Sequence, residues 1–196
     1  EGDILCAERS ADEWRIYRKD YLHSADGEVA KTLVKSLWTD KEITNDYGRK
    51  AIKDYFGAAV MDFPKSPELM AKLVRIGSHS NSIVMDFFSG SASTAEAVMA
   101  VNAEDGGCRR FIMIQLPEQV SADSAAAIAG LSSIADIGKE RIRRAGNGIL
   151  EGELHDAWNQ DIGFRSLKVD TSNMADVYYS PDALDKAKFD LFVDNI

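Results

Sequence analysis

Cysteine, proline and histidine are scarce in this 196-residue chain, which holds two Cys, four Pro and three His. Cys6 and Cys108 are too few for a disulfide framework or a zinc cluster, so no metal site is expected and a reducing cytoplasm suits the chain. No apolar run reaches the ~20 residues that a membrane-crossing helix needs, and no signal peptide opens the sequence. Positive charge is also short: 23 Lys and Arg stand against 32 Asp and Glu, a formal net charge of -9. An acidic surface repels nucleic-acid phosphate, so if the chain serves a DNA enzyme, most phosphate-binding charge has to come from elsewhere. What is present, 45% hydrophobic and 28% charged residues, is enough for a globular α/β protein with a real core.

The densest information lies in residues 82–94, SIVMDFFSGSAST. Ile83, Val84 and Met85 lead to Asp86, Phe87 and Phe88, and small residues at 89–93 lead into Thr94, Ala95 and Glu96. The pattern predicts a strand buried on both faces, a tight turn, and a helix opened by a capping box of Ser93 with Glu96. Gly90 lets the backbone approach a ligand or take a conformation closed to other residues, and the first N–H groups of the helix would face that ligand. Such a turn suits a nucleotide-like cofactor.

Upstream, Trp14, Arg15, Ile16, Tyr17, Arg18, Lys19, Asp20 and Tyr21 form an aromatic and basic cluster around a short strand. It reads as a nucleic-acid contact or, more simply, as a sheet edge whose cations lie along aromatic rings. A turn-rich patch over 43–48 precedes a helix over 49–56 that Gly57 stops. In the next segment Pro64 keeps Phe63 extended, Ser66 caps a helix, Pro67 takes its first position, and Leu69, Leu73 and Ile76 form the stripe facing the sheet. Lys65, just ahead of that helix, is either a cation for a carboxylate or a solvated lysine.

Downstream, Phe111, Ile112, Met113 and Ile114 predict a second buried strand ending at Gln115, about where a nucleotide-binding βαβ unit places its ribose ligand. The amide of Gln115 can accept from and donate to hydroxyls. After an alanine- and serine-rich stretch, Ser133 and Asp136 start a helix closed by Gly146, whose Lys139, Arg141, Arg143 and Arg144 read most simply as a solvated face with favourable C-terminal charge, a DNA-facing role being the alternative. Residues 163–170 read as a third strand ending in Asp170, a turn residue or a cofactor contact.

In their order, FPKSPEL, VMDFFSGSAST, AEAVMAVNAEDGG, RRFIMIQLPE, IADIGKERIRRAG and DIGFRSLKVDTSN resemble the methylation subunit of type III restriction-modification systems, over residues 38–173. Those subunits are adenine-specific DNA methyltransferases that use S-adenosylmethionine. The resemblance implies a class I methyltransferase fold, a Rossmann-like α/β arrangement in three layers with a mainly parallel sheet, its strands near Val84, Ile112 and Leu167. It also implies a set of cofactor-binding residues. Asp86, Phe87, Phe88, Gly90, Ser91 and Thr94 match the methionine-binding motif, Lys65 matches the lysine of the preceding lysine-proline motif, and Gln115 takes the strand-end position near the ribose. Ala92 stands where the family's second glycine falls, and Ser93 where threonine is usual.

The family's catalytic Asp-Pro-Pro-Tyr motif, which holds the target amine while an aromatic ring stacks on the flipped base, has no counterpart. Pro64, Pro67, Pro117 and Pro181 include no adjacent pair. By resemblance the chain corresponds to the C-terminal part of such an enzyme, with no catalytic residue of its own and inactive alone. Residues 1–60 would end the target-recognition region or form a linker, 61–175 would be the cofactor-binding core, and 176–196 an extension shorter than that of family members. Double-stranded DNA, a second methylation subunit and the restriction subunit are the implied partners, with no membrane. Two other readings stay open: a non-catalytic assembly module that retains the fold, and a dinucleotide-binding oxidoreductase, which the glycine-poor turn argues against.

Overall fold

Residues 5–10, 13–18 and 34–170 are described by the computed structural model. Two units divide the chain, Glu1–Ile162 and Gly163–Ile196. In the first, β1 (Leu5–Ser10) and β2 (Glu13–Arg18) pair antiparallel, with Leu5 opposite Arg18. Lys19, Asp20 and Tyr21 of the aromatic and basic cluster lie outside the described residues, as does the extension over 176–196.

α1 (Asn45–Phe56) begins inside the stretch read as a turn, because Thr44 caps it by accepting from the Tyr47 N–H at 3.4 Å. Gly57, at φ 71°, ends it in the left-handed conformation. α2 (Pro67–Gly77) starts as read, with Ser66 accepting from the Leu69 N–H and Pro67 in the first turn. Its buried face is rotated from the expected stripe: Ala71 and Val74 are buried while Leu73 and Ile76 stay exposed. Small residues there let α2 close on α3 (Ser93–Asp105).

β3 (Ile83–Asp86) and β4 (Arg110–Met113) are parallel neighbours, Val84 opposite Phe111, and α3 connects them as a βαβ unit. Val84 and Phe111 pack on Ala71 and Val74 of α2 and on Ala97, Val98 and Val101 of α3. The other face of the pair is bare, with Ile83 and Met85 of β3, and Ile112 of β4 and Ile114 just beyond it, exposed. The strands are therefore buried on one face rather than two, since nothing among the described residues covers the second.

After the short α4 (Ala125–Ile128) comes α5 (Ile134–Leu150), capped by Ser133, which accepts from the Asp136 N–H at 3.2 Å. Gly146 does not close α5, as had been expected. A Cβ there would sit 3.0 Å from the Cβ of Ile162, so this glycine serves close packing inside a continuing helix. Ile137 joins Ile52, Val60 and Ala126 in a second core. In the other unit, residues 163–170 form no strand, and Leu167 and Val169 are 90% and 95% exposed. The expected third strand near Leu167 is corrected accordingly: residues 163–170 pair in no β-ladder. No helix among the described residues is long and apolar enough to cross a membrane.

Candidate functional site

At the carboxyl end of β3 the chain must turn sharply into α3, and Asp86 organises that turn. Its Oδ2 accepts from Thr94 Oγ1 at 2.6 Å and its Oδ1 from the Phe88 N–H at 3.1 Å, tying the strand end to the first turn of the helix. Gln115, just past β4, fastens the turn to the second strand: its Oε1 accepts from the Gly90 N–H at 2.8 Å. The Ser89 N–H donates to Ile114 O at 3.1 Å. Asp86, Gly90, Thr94 and Gln115 are thus brought into one hydrogen-bonded constellation.

Gly90 sits at φ 52° and Ala92 at φ 60°. Ala92 is the N-cap of α3 and offers no side-chain cap, so the predicted capping box of Ser93 with Glu96 does not form. A left-handed alanine costs about 1–2 kcal/mol, which explains why a glycine suits this position better than alanine does. Between residues 88 and 95 the amides of Phe88, Ser89, Gly90, Ala92 and Ala95 are already satisfied internally. Those of Ser91, Ser93 and Thr94 have no acceptor among the described residues. The free N–H groups at the start of the helix therefore number three, fewer than the whole turn.

The remaining expected residues differ in placement. Phe87 and Phe88 are exposed, the latter 88%. Lys65 is exposed with no hydrogen bond or ion pair among the described residues. Its segment runs beside the turn, since Met61 Cε would lie 3.2 Å from a Cβ at Gly90. The Pro64–Lys65 backbone is braced from α1, where a Cβ on Gly48 would overlap Pro64 O. Ser91 is buried, and its hydroxyl accepts from Arg141 Nη1 at 2.7 Å, so that hydroxyl faces inward.

Arg141 was missed by the sequence reading. Lys139, Arg143 and Arg144 do lie on an outer face, each with a carboxylate of the same helix, Asp136 or Glu140. Arg141 instead is fully buried, with Nε 2.6 Å from Glu96 Oε2. The other carboxylate oxygen of Glu96 accepts from Tyr55 OH at 2.9 Å. Burial and the Glu96 carboxylate together raise the Tyr55 phenol above its usual range. A signal was available: Arg141 stands four residues after Ile137 and four before Ala145, within the apolar face of α5.

A hollow of about 490 Å³ lies at the other end of α3, lined by residues such as Ala103, Glu104, Ile149 and His155. It touches none of the turn residues. No trio of His, Cys, Asp or Glu placed to hold a metal occurs among the described residues.

A parallel βαβ unit with an acid-anchored glycine turn at the strand ends defines an α/β protein of the kind that takes ligands at the carboxyl edge of its sheet. Comparison makes the class specific. The chain belongs to the DNA methylase family, which matches residues 8–126. It is 36% identical over 151 residues to the Mod subunit of the type III restriction-modification enzyme StyLTI of Salmonella typhimurium, covering 77% of this chain and 22% of that one. With the EcoPI Mod subunit of Escherichia phage P1 it shares 39% identity over 128 residues, 65% of this chain and 20% of the relative. The type II methyltransferase M.KpnI of Klebsiella pneumoniae is 28% identical over 127 residues, 65% of this chain and 30% of that protein. The chain thus spans about a fifth of the length of the Mod subunits it matches.

Proposed function

We propose that this chain is the cofactor-binding part of a site-specific adenine DNA methyltransferase of a type III restriction-modification system. The observation that carries the reading is the Asp86–Gly90–Thr94–Gln115 constellation with three amides at the start of α3 that have no acceptor among the described residues, in a chain of the DNA methylase family. These residues fit S-adenosylmethionine: unpaired N–H groups and a positive helix end suit its carboxylate, and the exposed Lys65 adds a mobile cation. When bound, that cofactor supplies an electrophilic methyl group on a sulfonium.

The work of this chain is positioning. Ser91, Ser93 and Thr94 present backbone donors, Asp86 keeps the turn bent, and Gln115, whose Oε1 holds Gly90 and whose Nε2 donates to Leu116 O, keeps one amide N–H at the strand end for a ribose hydroxyl. Phe87 and Phe88 offer apolar surface beside them. In the whole enzyme the bare sheet face is covered by a second helical layer, giving the three-layer Rossmann-like fold, with residues 61–175 as the cofactor core. The adenine amine, the duplex, a second methylation subunit and the restriction subunit belong to that larger assembly.

With no Asp-Pro-Pro-Tyr motif in its sequence, this chain by itself transfers no labelled methyl to DNA. Thermal melting with S-adenosylhomocysteine and with NAD tests the reading. A hundredfold excess over the dissociation constant adds about 2.7 kcal/mol for the true ligand. A shift with NAD and none with S-adenosylhomocysteine would point to an oxidoreductase instead.

A further inference from the structure

We infer that Arg141, with Gly138 one helical turn before it, is a positioning residue of the turn at residues 89–93, holding it bent from the side away from solvent. The inference deepens the cofactor reading, and rests on it only for its effect on binding.

Three observations converge. Arg141 is fully buried and joins the turn to the helix that follows: Nη1 donates to Ser91 Oγ at 2.7 Å and Nε to Glu96 Oε2 at 2.6 Å. Gly138 lies on the same face of α5, and a Cβ there would be 3.1 Å from Gly90 O and 3.4 Å from the Cβ of Ala92, so α5 rests directly on the turn. Asp86 and Gln115 tie the turn to the strand ends, but its passage into α3 is uncapped, because Ala92 is left-handed and offers no side-chain cap.

Stability alone is a poor reason for this arginine. A buried ion pair is commonly matched or bettered by apolar residues of similar volume. Arg141 also leaves Nη2 buried with no acceptor among the described residues, a further cost. What the guanidinium does provide is a planar fork that fixes Ser91 relative to Glu96, a geometry no aliphatic side chain can impose. Tyr55 locks the far side of Glu96, so the fork is held from α1 as well. With the Ser91 hydroxyl turned inward, the N–H groups of Ser91, Ser93 and Thr94 have no acceptor among the described residues.

The test uses amide hydrogen exchange on the unliganded chain. Glu96→Gln/Arg141→Met removes the pair without stranding a charge, since the carboxamide still accepts from Tyr55, and Ser91→Ala removes only the turn's side of the contact. In both, exchange at Gly90, Ala92 and Ala95 should rise tenfold or more while Arg110 and Ser78 keep wild-type protection, and S-adenosylhomocysteine should bind about tenfold more weakly well below the melting temperature. Unchanged protection at the turn, or a loss spread evenly over all these amides, would overturn the positioning role. A wild-type chain that binds no S-adenosylhomocysteine would overturn the cofactor reading, and the exchange pattern would still decide the part played by Arg141.

Discussion

Lys65 and Gly48 show how differently two residues a few ångströms of backbone apart can matter. The Lys65 side chain is exposed and makes no hydrogen bond or ion pair among the described residues, so Lys65→Ala should alter stability by no more than about 0.5 kcal/mol. If it holds the cofactor carboxylate, the same change should weaken binding by about 1.5–3 kcal/mol, which calorimetric titration would read directly. An unchanged titration would remove Lys65 from the site. Gly48 is the reverse case: a Cβ there would overlap Pro64 O, a backbone atom that cannot move without carrying Lys65 along. Gly48→Ala should cost about 1–3 kcal/mol in urea unfolding, as overpacking does, and weaken binding as well.

Residue type and spacing revealed the tie between Asp86 and the following turn only in outline. An acid at a strand end marks the place, but that its two oxygens are spent on Thr94 and Phe88 depends on the path of the turn. Glu96 is the sharper lesson. Three residues after Ser93 it has the spacing of a capping partner, yet α3 is buried on nearly every side and a carboxylate there needs a cation. That cation, Arg141, comes from 45 residues away, a pairing no local pattern encodes.

At the scale of elements, helix starts were legible and sheet extent was not. Ser66 with Pro67, and Ser133 with Asp136, gave α2 and α5 their true beginnings because capping is local chemistry. Residues 163–170 have the composition of a strand and form none, since a strand is decided by its neighbours. The start of α5 also carries a pH dependence. Hydrogen bonds from Lys139, Ser132 and Ser133 hold the Asp136 carboxyl well below the usual carboxylate range. A lowered folded-state pKa means that Asp136 stabilises the protein above the unfolded value of about 3.9 and loses that contribution as pH falls through its folded value. Comparing the melting temperatures of wild type and Asp136→Asn, the wild-type advantage at pH 7 should persist down to about pH 4 and then shrink. A gap that stays constant to the lowest pH would contradict the assignment.

For the molecule as a whole, one face of the β3–β4 pair is packed and the other is exposed among the described residues. Ile83, Met85 and Ile112 form apolar surface on the exposed face. The βαβ unit, its turn and its family were readable because the motif residues are contiguous in sequence. The backing of that turn by α5 was not, because it joins segments that only tertiary packing brings together.

The central claim is that the start of α3 receives the amino-acid end of a sulfonium cofactor. Residue-resolved amide NMR during titration with S-adenosylhomocysteine tests it most directly. Saturable shifts should centre on Ser91, Ser93 and Thr94, extend to Gln115, and leave Ala103 and His155 near the opposite hollow unmoved. Saturable shifts around that hollow, with the amides of the turn unchanged, would contradict it.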